Sequence, residues 1–394
     1  MGEKSKDLPL PYGRQFIDDD DIRAVSAVLG DDLITCGPRV EALESALCRI
    51  TGAKYAVACS NGTAALHLAC LALGIGADDL GMTSPISFLA SANCVEYCGG
   101  KVDFIDIDPA SLCLCVTDLE SECRNGRVPK VVIPVDFAGL AADLPGIKAL
   151  ADEYGFYVIE DAAHALGSVY RAGGVEYSCG SCAHTDLAVF SFHPVKTITT
   201  GEGGVVMTND RSLADRVRAF RSHGVERSGT AAAREGEWYY EMKELGYNYR
   251  ITDLQCALGL SQLEKLNRFK ARRREIVAFY NRALSAGSGI ILPPEKLASQ
   301  ACPHLYPLQL DGPPEIRSKV FLTLRQVGIF CQVHYIPIYW QPYYVNKYGF
   351  KKGKCARAEV YYSRCLSLPL FPGMTDEDMQ KVVTGVEAAV AKHG

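Results

Sequence analysis

Short apolar runs alternate with helix-like segments from about Glu41 to Asp210. The runs are rich in Val and Ile, and strands of this kind that alternate with helices favour a parallel sheet covered on both faces. In such a sheet the ligand binds beyond the carboxyl ends of the strands, so the residues that follow each strand are the first candidates for a functional site. The candidate strands are Tyr55–Cys59, Lys101–Ile105, Val131–Val135, Phe156–Ile159, Leu187–Phe190 and Gly204–Met207, and helix-like stretches between them are Thr63–Leu73 and Leu144–Tyr154.

Past Asp210 the alternation gives way to longer helical and Pro-rich stretches. The segment Leu254–Phe279 predicts one long helix with Thr252 as its N-cap. Further predicted elements are strands at Leu305–Leu310 and Ile329–Tyr335 and a helix from Asp376 onward. We therefore predict an α/β fold with a large domain over residues 1–262, in which a mostly parallel sheet lies between helices and an N-terminal arm precedes it. A smaller α+β domain is predicted over residues 263–394.

The charge balance limits the class of partner. The 394 residues carry 41 Lys and Arg against 46 Asp and Glu, a formal net charge of -5. This balance disfavours nucleic acid or an anionic membrane as partner, although a small anion is compatible with it. No apolar run reaches the roughly 20 residues that span a bilayer. Because the first eight residues, MGEKSKDL, lack the apolar core of a signal peptide, we predict a cytoplasmic protein.

Sixteen cysteines raise the question of disulfides or metal. Disulfide-dense proteins are small and secreted, which this chain does not resemble. Cys179 and Cys182 form a Cys-x-x-Cys pair, but a zinc site needs further ligands at suitable spacing and none is evident. The pair also lies in a Gly/Ser-rich loop and not at a helix start. We predict no metal site, and the role of the pair stays open.

A small polar turn follows the first candidate strand. Asn61, Gly62 and Thr63 lead into an Ala-rich helix, where free backbone N–H groups and the helix dipole suit a phosphate. An ordinary N-cap role explains Thr63 about as well.

Two further strand ends carry acid, imidazole and amine groups. Asp161 and His164 follow the Phe156–Ile159 strand, and a carboxylate buried there needs a cation such as a protonated pyridine nitrogen. A capping acid beside a partly buried histidine is the ordinary alternative. Lys196 lies after Ser191 and before a Gly-rich turn, where burial would make its amine a better nucleophile. A lone lysine at a strand end is more often a solvated surface residue, so its context has to support a function.

In this order, the motifs resemble those of the DegT/DnrJ/EryC1/StrS family of sugar aminotransferases, which have the fold of type I pyridoxal-phosphate (PLP) enzymes. The resemblance runs from about Phe16 to the C-terminus. It is carried by Asn61-Gly62-Thr63, Glu160-Asp161-Ala162-Ala163-His164, Ser191-Phe192-x-x-x-Lys196, Gly201-Glu202-Gly203-Gly204, Phe220-Arg221-Ser222-His223-Gly224, Gly246-Tyr247-Asn248-Tyr249-Arg250 and His334-Tyr335-x-Pro337.

The resemblance implies a role for each matching residue. Lys196 would bind PLP covalently and move a proton, and Asp161 would pair with the pyridine nitrogen and keep the ring an electron sink. His164 would lie near the phenolic oxygen. The remaining implied cofactor contacts are Phe88 on the ring face, Gly62, Thr63 and Ser191 around the phosphate, and Asn248 from a neighbouring subunit. Implied substrate contacts are Tyr12, Glu202, His334 and Tyr335. The enzyme would then be a homodimer with shared active sites.

Within the family, several stretches are most similar to the transaminases of the pseudaminic acid pathway. These include Val135-Asp136-Phe137-Ala138-Gly139, His164-Ala165-Leu166-Gly167-Ser168 and Val333-His334-Tyr335-x-Pro337-Ile338-Tyr339. The similarity implies transfer of an amino group from L-glutamate to C-4 of a UDP-linked 4-keto-6-deoxy-N-acetylhexosamine. Two stretches depart from the pattern: Asp78–Met82 is less strand-like than usual, and the long loop Ser228–Trp238 would be able to reach the neighbour's substrate site.

Four other functions compete with this hypothesis. Another 4-keto sugar nucleotide, of the bacillosamine, legionaminic acid or perosamine type, would change only one or two contacts. PLP-dependent sugar dehydratases of the family carry histidine in place of the lysine, and Lys196 disfavours that chemistry. A regulator that binds PLP or a sugar nucleotide would tolerate loss of Asp161 or Lys196, yet both are present. A dehydrogenase would need a Gly-x-Gly-x-x-Gly motif after its first strand, which this sequence lacks.

Overall fold

The computed structural model describes residues 9–226, 236, 238–285 and 289–394. Two expectations fall wholly or largely outside this range. They concern the polar start at residues 1–8 and the predicted long loop, of which residues 228–235 and 237 are not described.

A seven-stranded sheet forms the centre of the fold, with strand order β2-β10-β9-β6-β5-β3-β4. All neighbouring pairs are parallel except those of β10, which runs antiparallel to both β2 and β9. The prediction of a mostly parallel sheet between helices is confirmed. The strands are β1 Leu10–Pro11, β2 Tyr55–Cys59, β3 Leu80–Thr83, β4 Lys101–Phe104, β5 Val131–Ile133, β6 Tyr157–Asp161, β7 Val169–Ala172, β8 Val175–Ser178, β9 Leu187–Ser191, β10 Gly204–Thr208, β11 Val225–Glu226, β12 Glu241–Met242, β13 Ile290–Ile291, β14 Tyr306–Leu310, β15 Ile329–Phe330 and β16 Cys365–Leu368.

Helices cover the sheet and build the C-terminal part. They are α1 Asp19–Val28, α2 Pro38–Thr51, α3 Gly62–Ala72, α4 Ala90–Tyr97, α5 Val116–Arg124, α6 Leu144–Tyr154, α7 Arg211–Arg221, α8 Asp253–Glu264, α9 Leu266–Leu284, α10 Lys296–Ser299, α11 Pro314–Gln326, α12 Pro342–Tyr348, α13 Ala356–Arg364 and α14 Asp376–His393, with 3-10 turns at Phe137–Gly139 and Ile338–Trp340. None of the described helices is long and apolar enough to cross a membrane.

The prediction of a single helix over Leu254–Phe279 is wrong, because the helix breaks between α8 and α9 at Lys265. The Lys265 ammonium is almost buried and pairs with the carboxylates of Asp18 and Asp21 at the start of α1. These tertiary contacts set the break, which no Gly or Pro marks in the sequence. The predicted N-cap at Thr252 is confirmed, with Gln255 completing a capping box.

The structure also bears on two other stretches with expected or unusual strand character. The stretch before Pro85 does form a strand, β3, which lies between β4 and β5. The strand expected over Ile329–Tyr335 is only two residues long, because the chain turns away after Phe330 and carries His334 and Tyr335 to the cavity described below.

The buried apolar side chains form two clusters. The larger cluster surrounds the central sheet and also includes Phe269 and Tyr361. The smaller one packs around the sheet β13-β14-β16 and helices α11 and α14, and the N-terminal arm joins it through Leu10, whose strand β1 pairs with β15. The domain boundary between residues 262 and 263 stays a prediction.

Candidate active site

The carboxyl ends of β2, β6 and β9 open into a cavity of about 860 Å³. The predicted site residues that line it are Tyr12, Gly62, Thr63, Phe88, Asp161, His164, Ser191, Lys196, Glu202, His334 and Tyr335. Residues that lie far apart in the sequence therefore converge on one site, where the parallel sheet was expected to bind its ligand.

Asn248 is the one predicted site residue that does not line the cavity of its own chain. It is exposed, and its backbone forms a bridge to Ser222. Its expected contribution from a neighbouring subunit stays a prediction.

The N-terminus of α3 forms one wall of the cavity. Asn61 caps the helix through its side chain, which accepts a hydrogen bond of 2.8 Å from the N–H of Ala64. The capping role considered for Thr63 is therefore wrong, and its hydroxyl lies at the cavity wall. A Cβ atom at Gly62 would lie 2.8 Å from the Cβ of Ser191. Only glycine allows this approach, which places the Ser191 side chain beside the positive end of the helix and forms a cradle suited to a phosphate.

Asp161 lies at the end of β6 and is 4% exposed. Its carboxylate accepts hydrogen bonds from the Ser91 hydroxyl at 2.6 Å and the Ala163 N–H at 3.2 Å. Burial raises the pKa of Asp161, while these donors and the charge of Lys196 act against that rise. A buried carboxylate held in place at a cavity wall is suited to pair with a cationic ring nitrogen.

Lys196 lies five residues beyond the end of β9 and is half-buried. Burial lowers the pKa of its ammonium to about 8, although the charge of Asp161 opposes the effect. Near neutral pH its amine is therefore uncharged far more often than that of an ordinary lysine, as a nucleophile requires. The backbone carbonyl of Lys196 accepts a hydrogen bond from the fully buried guanidinium of Arg273, which also donates to carbonyls of Pro303, His304 and Leu370.

The imidazole of His164 is buried and has its Nε2 atom 3.3 Å from the Tyr335 hydroxyl. Its Nδ1 atom is buried and has no hydrogen-bond partner in the described part of the chain. Burial holds the pKa of His164 well below its usual range, and the charges of Lys196 and His334 act in the same direction. The ring is therefore neutral, with one nitrogen available to a ligand oxygen.

His334 and Tyr12 form the neighbouring wall. The His334 Nδ1 atom lies 2.9 Å from the Ser367 hydroxyl, and the His334 and Tyr12 rings are 5.0 Å apart. Burial lowers the pKa of His334 to about 3, so it too is neutral. Glu202 and Phe88 lie on the open side, with Phe88 59% exposed.

Sequence reasoning missed several residues of the site. His304 lines the cavity, and its ring lies 4.4 Å from that of His164. It lies just before β14 of the other sheet, separated from it by Leu305, so the search for residues at the ends of the parallel strands could not find it. Ser91, which orients Asp161, comes from α4 and belongs to no motif considered. His67 and Tyr249, which approach to 3.2 Å between Nδ1 and the hydroxyl, also line the cavity.

Taken together, the walls fit an aromatic phosphate ester with a protonated ring nitrogen and an aldehyde. The cradle at Gly62 and Ser191 suits the phosphate, Asp161 suits the ring nitrogen, and Lys196 suits the aldehyde. These are the functional groups of PLP.

Comparison with known proteins agrees with this chemistry. The family model "DegT/DnrJ/EryC1/StrS aminotransferase family" matches residues 15–387. The chain is 37% identical over 379 residues to a UDP-4-amino-4,6-dideoxy-N-acetyl-beta-L-altrosamine transaminase of Campylobacter jejuni, covering 95% of both chains. It is also 37% identical over 385 residues to the spore coat polysaccharide biosynthesis protein SpsC of Bacillus subtilis, covering 97% of both. The solved structure of Helicobacter pylori PseC, an aminotransferase involved in the biosynthesis of pseudoaminic acid, superposes with a TM-score of 0.89 at 30% identity, over 98% of this chain and 100% of that one.

Proposed function

Because this chain belongs to the DegT/DnrJ/EryC1/StrS aminotransferase family, a family of PLP-dependent enzymes, we propose that it transfers the amino group of L-glutamate to C-4 of a UDP-linked 4-keto-6-deoxy-N-acetylhexosamine. The general activity is that of a nucleotide-sugar aminotransferase. The choice of sugar and donor is our proposal, supported by the 37% identity to the Campylobacter transaminase and by the likeness to PseC.

The convergence of Lys196 and Asp161 on one cavity carries the proposal. When bound, PLP supplies an electron-withdrawing ring that stabilises negative charge at the carbon that gains or loses the amino group. Asp161 would keep the ring nitrogen protonated, and its buried position makes this pairing strong. Lys196, with a pKa near 8, would bind the cofactor and afterwards hold and return the proton at its Nζ atom.

The other walls orient the reactants. Gly62, Thr63 and Ser191 would hold the phosphate. The neutral imidazole of His164 would hydrogen-bond the phenolic oxygen, and Tyr335 would fix the orientation of that imidazole through their 3.3 Å contact. Phe88 would cover the ring face from the open side of the cavity.

The charge of the cavity supports a homodimer with shared active sites. A UDP-sugar carries a diphosphate, yet Lys196 is the only lysine or arginine among the described residues that line the cavity, and the cofactor would use its amine. The positive charge that the diphosphate requires must then come from outside the cavity of one chain. Asn248 is exposed and Arg250 is half-buried, and Arg250 forms no ion pair within the described residues. We infer that a neighbouring subunit contributes this segment.

A panel of UDP-, GDP- and dTDP-linked 4-keto sugars, assayed with L-glutamate, tests the proposal. We expect the UDP-linked N-acetylhexosamine with the altro configuration in the product to give the highest kcat/KM. Exclusive turnover of a GDP- or dTDP-linked sugar would contradict the proposed acceptor while leaving the aminotransferase activity intact. The panel also includes UDP-linked bacillosamine and legionaminic acid precursors, because such acceptors would change only one or two contacts.

A further inference from the structure

Three acidic or thiol side chains meet behind the active site. Asp136 follows β5, Glu160 lies in β6 and Cys179 follows β8. One carboxylate oxygen of each acid and the Sγ atom of Cys179 lie within 4.8 Å of one another. Asp136 is 0% exposed, and Glu160 and Cys179 are each 1% exposed. Glu160 directly precedes Asp161 on the same strand, so its side chain points to the opposite face of the sheet.

In the part of the chain that the structure describes, no compensating cation faces this cluster. The other titratable groups that face it within the described residues are Cys113 before α5, Tyr170 on β7, Cys182 after β8 and Asp161 on β6. None of these groups can carry a positive charge. Two carboxylates this close together, buried and without a cation, cannot both stay ionised at an acceptable cost.

The hydrogen bonds show where a proton is needed. Asp136 Oδ1 accepts the N–H of Ala142 at 2.9 Å, and both oxygens of Glu160 accept the N–H of Gly180, at 3.0 and 3.1 Å. Asp136 Oδ2 is buried and has no donor in the described part of the chain. A proton on Glu160 would provide that donor, since a protonated carboxyl group gains one O–H.

We propose that Asp136 and Glu160 share one proton, and that this acid pair, with Cys179, is a positioning unit for Asp161. The electrostatics agree with this arrangement. Burial raises the pKa of Asp136 to about 6 and that of Glu160 well above its usual range. Burial and the two neighbouring acids also raise the pKa of the Cys179 thiol, which therefore stays protonated and can donate a hydrogen bond to the pair.

The backbone connects the acid pair to the active site. The N–H of Asp136 donates to the carbonyl of Asp161 at 3.1 Å, and the N–H of Asp161 donates to the carbonyl of Pro134 at 2.9 Å. Beyond Asp136 the chain turns, and the carbonyl of Ala138 accepts the N–H of His304 at 2.8 Å. The acid pair thus fixes the backbone where the end of β6, which carries Asp161, contacts the turn at Ala138 that holds His304. The positioning role rests on the function proposed for Asp161, whereas the sharing of a proton does not.

The sharing of a proton is tested by the pH dependence of unfolding. Because the folded pair binds a proton that the unfolded carboxyl groups release, the melting temperature of the wild-type protein should fall as the pH rises from about 4 past about 6. Glu160→Gln and Asp136→Asn each leave one acid beside a neutral amide, and each should flatten this dependence. The matched control is Asp253→Asn, since Asp253 is a buried carboxylate that accepts two backbone N–H groups.

An unchanged pH dependence in both amide variants would overturn the shared proton. A metal ion is the other way to hold two carboxylates and a thiol, so elemental analysis of the purified wild-type protein accompanies the experiment. A stoichiometric amount of metal in the wild-type protein that is absent from Glu160→Gln would also overturn the shared proton. Both measurements are made without substrate, so their outcome does not depend on the proposed reaction.

The positioning role is tested by equilibrium dialysis of PLP. Glu160→Ala leaves Asp136 with a buried, unpaired oxygen, and we expect about tenfold weaker PLP binding. Glu160→Gln should restore binding to the wild-type level, because the amide can donate to Asp136 and accept from Gly180. Equal PLP affinity in Glu160→Ala and the wild type would contradict a positioning role.

Discussion

The backbone of Gly62 lies against the side chain of Ser191, so that a Cβ atom at position 62 would come within 2.8 Å of the Ser191 Cβ and 3.1 Å of its hydroxyl oxygen. This contact joins the start of α3 to the end of β9. It gives the proposed phosphate cradle its shape, because the hydroxyl is held beside the first N–H groups of the helix.

Gly62→Ala should therefore damage the cradle. The added methyl group must push Ser191 or the helix start aside, at a cost of roughly 1–3 kcal/mol. We expect PLP affinity, measured by equilibrium dialysis, to fall by at least about tenfold. The control is Gly76→Ala, because a Cβ atom there meets no atom within 4 Å. Equal losses in both variants would show that the cradle is not the cause.

Lys196 should be the point of covalent attachment. The purified protein should be yellow, and borohydride should fix the cofactor on Lys196, as located by peptide mass spectrometry. Lys196→Ala should lose turnover completely, but its free energy of unfolding should stay within about 1 kcal/mol of the wild-type value, because the amine is a nucleophile and not a packing element. Label on another residue, or near-normal turnover of the variant, would contradict the assignment.

The rate of cofactor loading should depend on pH. Only the neutral amine attacks an aldehyde, and the pKa of Lys196 is lowered to about 8. The rate at which apoenzyme takes up PLP, followed by absorbance, should therefore rise with pH and level off above about pH 8. A rate that only begins to rise near the ordinary lysine pKa of about 10.4 would show that burial does not activate this amine.

Mixed dimers test whether active sites are shared. Lys196→Ala and Asn248→Ala should each be inactive or weakly active alone. A mixed dimer contains one site with both native residues. Mixing the two variants should therefore restore activity at about one half of the sites in each mixed dimer. Subunit exchange is confirmed with differently tagged chains. Exchange without recovery would place Asn248 outside the neighbouring site.

Arg273 should be important for stability as well as for the site. Its guanidinium is 0% exposed and donates to backbone carbonyls from three segments, so Arg273→Met leaves buried carbonyls unpaired. We expect a loss of roughly 2–4 kcal/mol in the free energy of unfolding, measured by denaturant titration, together with a lower kcat. In Arg268→Met, which removes an ion pair from a side chain that is 59% exposed, the loss should stay within about 1 kcal/mol. Similar losses in the two variants would refute the role of Arg273.

The sequence predicted the sheet and most of the site because both depend on local patterns. Valine-rich runs marked the strands, and the residues just beyond them, including Asp161 and Lys196, do line the cavity. The family resemblance supplied their expected roles, which the local pattern alone left open.

The features that were missed depend on contacts between distant residues. The break at Lys265 follows from its pairing with acids of α1 more than 240 positions earlier in the chain. His304 reaches the cavity because its backbone is held by the turn at Ala138, and Ser91 because α4 packs behind Asp161. The proposed contribution of Asn248 would depend on a second chain, which neither the sequence pattern nor the fold of one chain contains.

The hydrogen bonds of Arg273 also bear on how the protein opens locally. The Arg273 side chain donates hydrogen bonds to the backbone at Lys196, just before β14 and just after β16. These segments belong to different sheets and to both hydrophobic clusters, yet none can detach without breaking bonds to the same guanidinium. They should therefore protect one another from hydrogen exchange as a single cooperative unit, and Lys196 should be among the last parts of the chain to open.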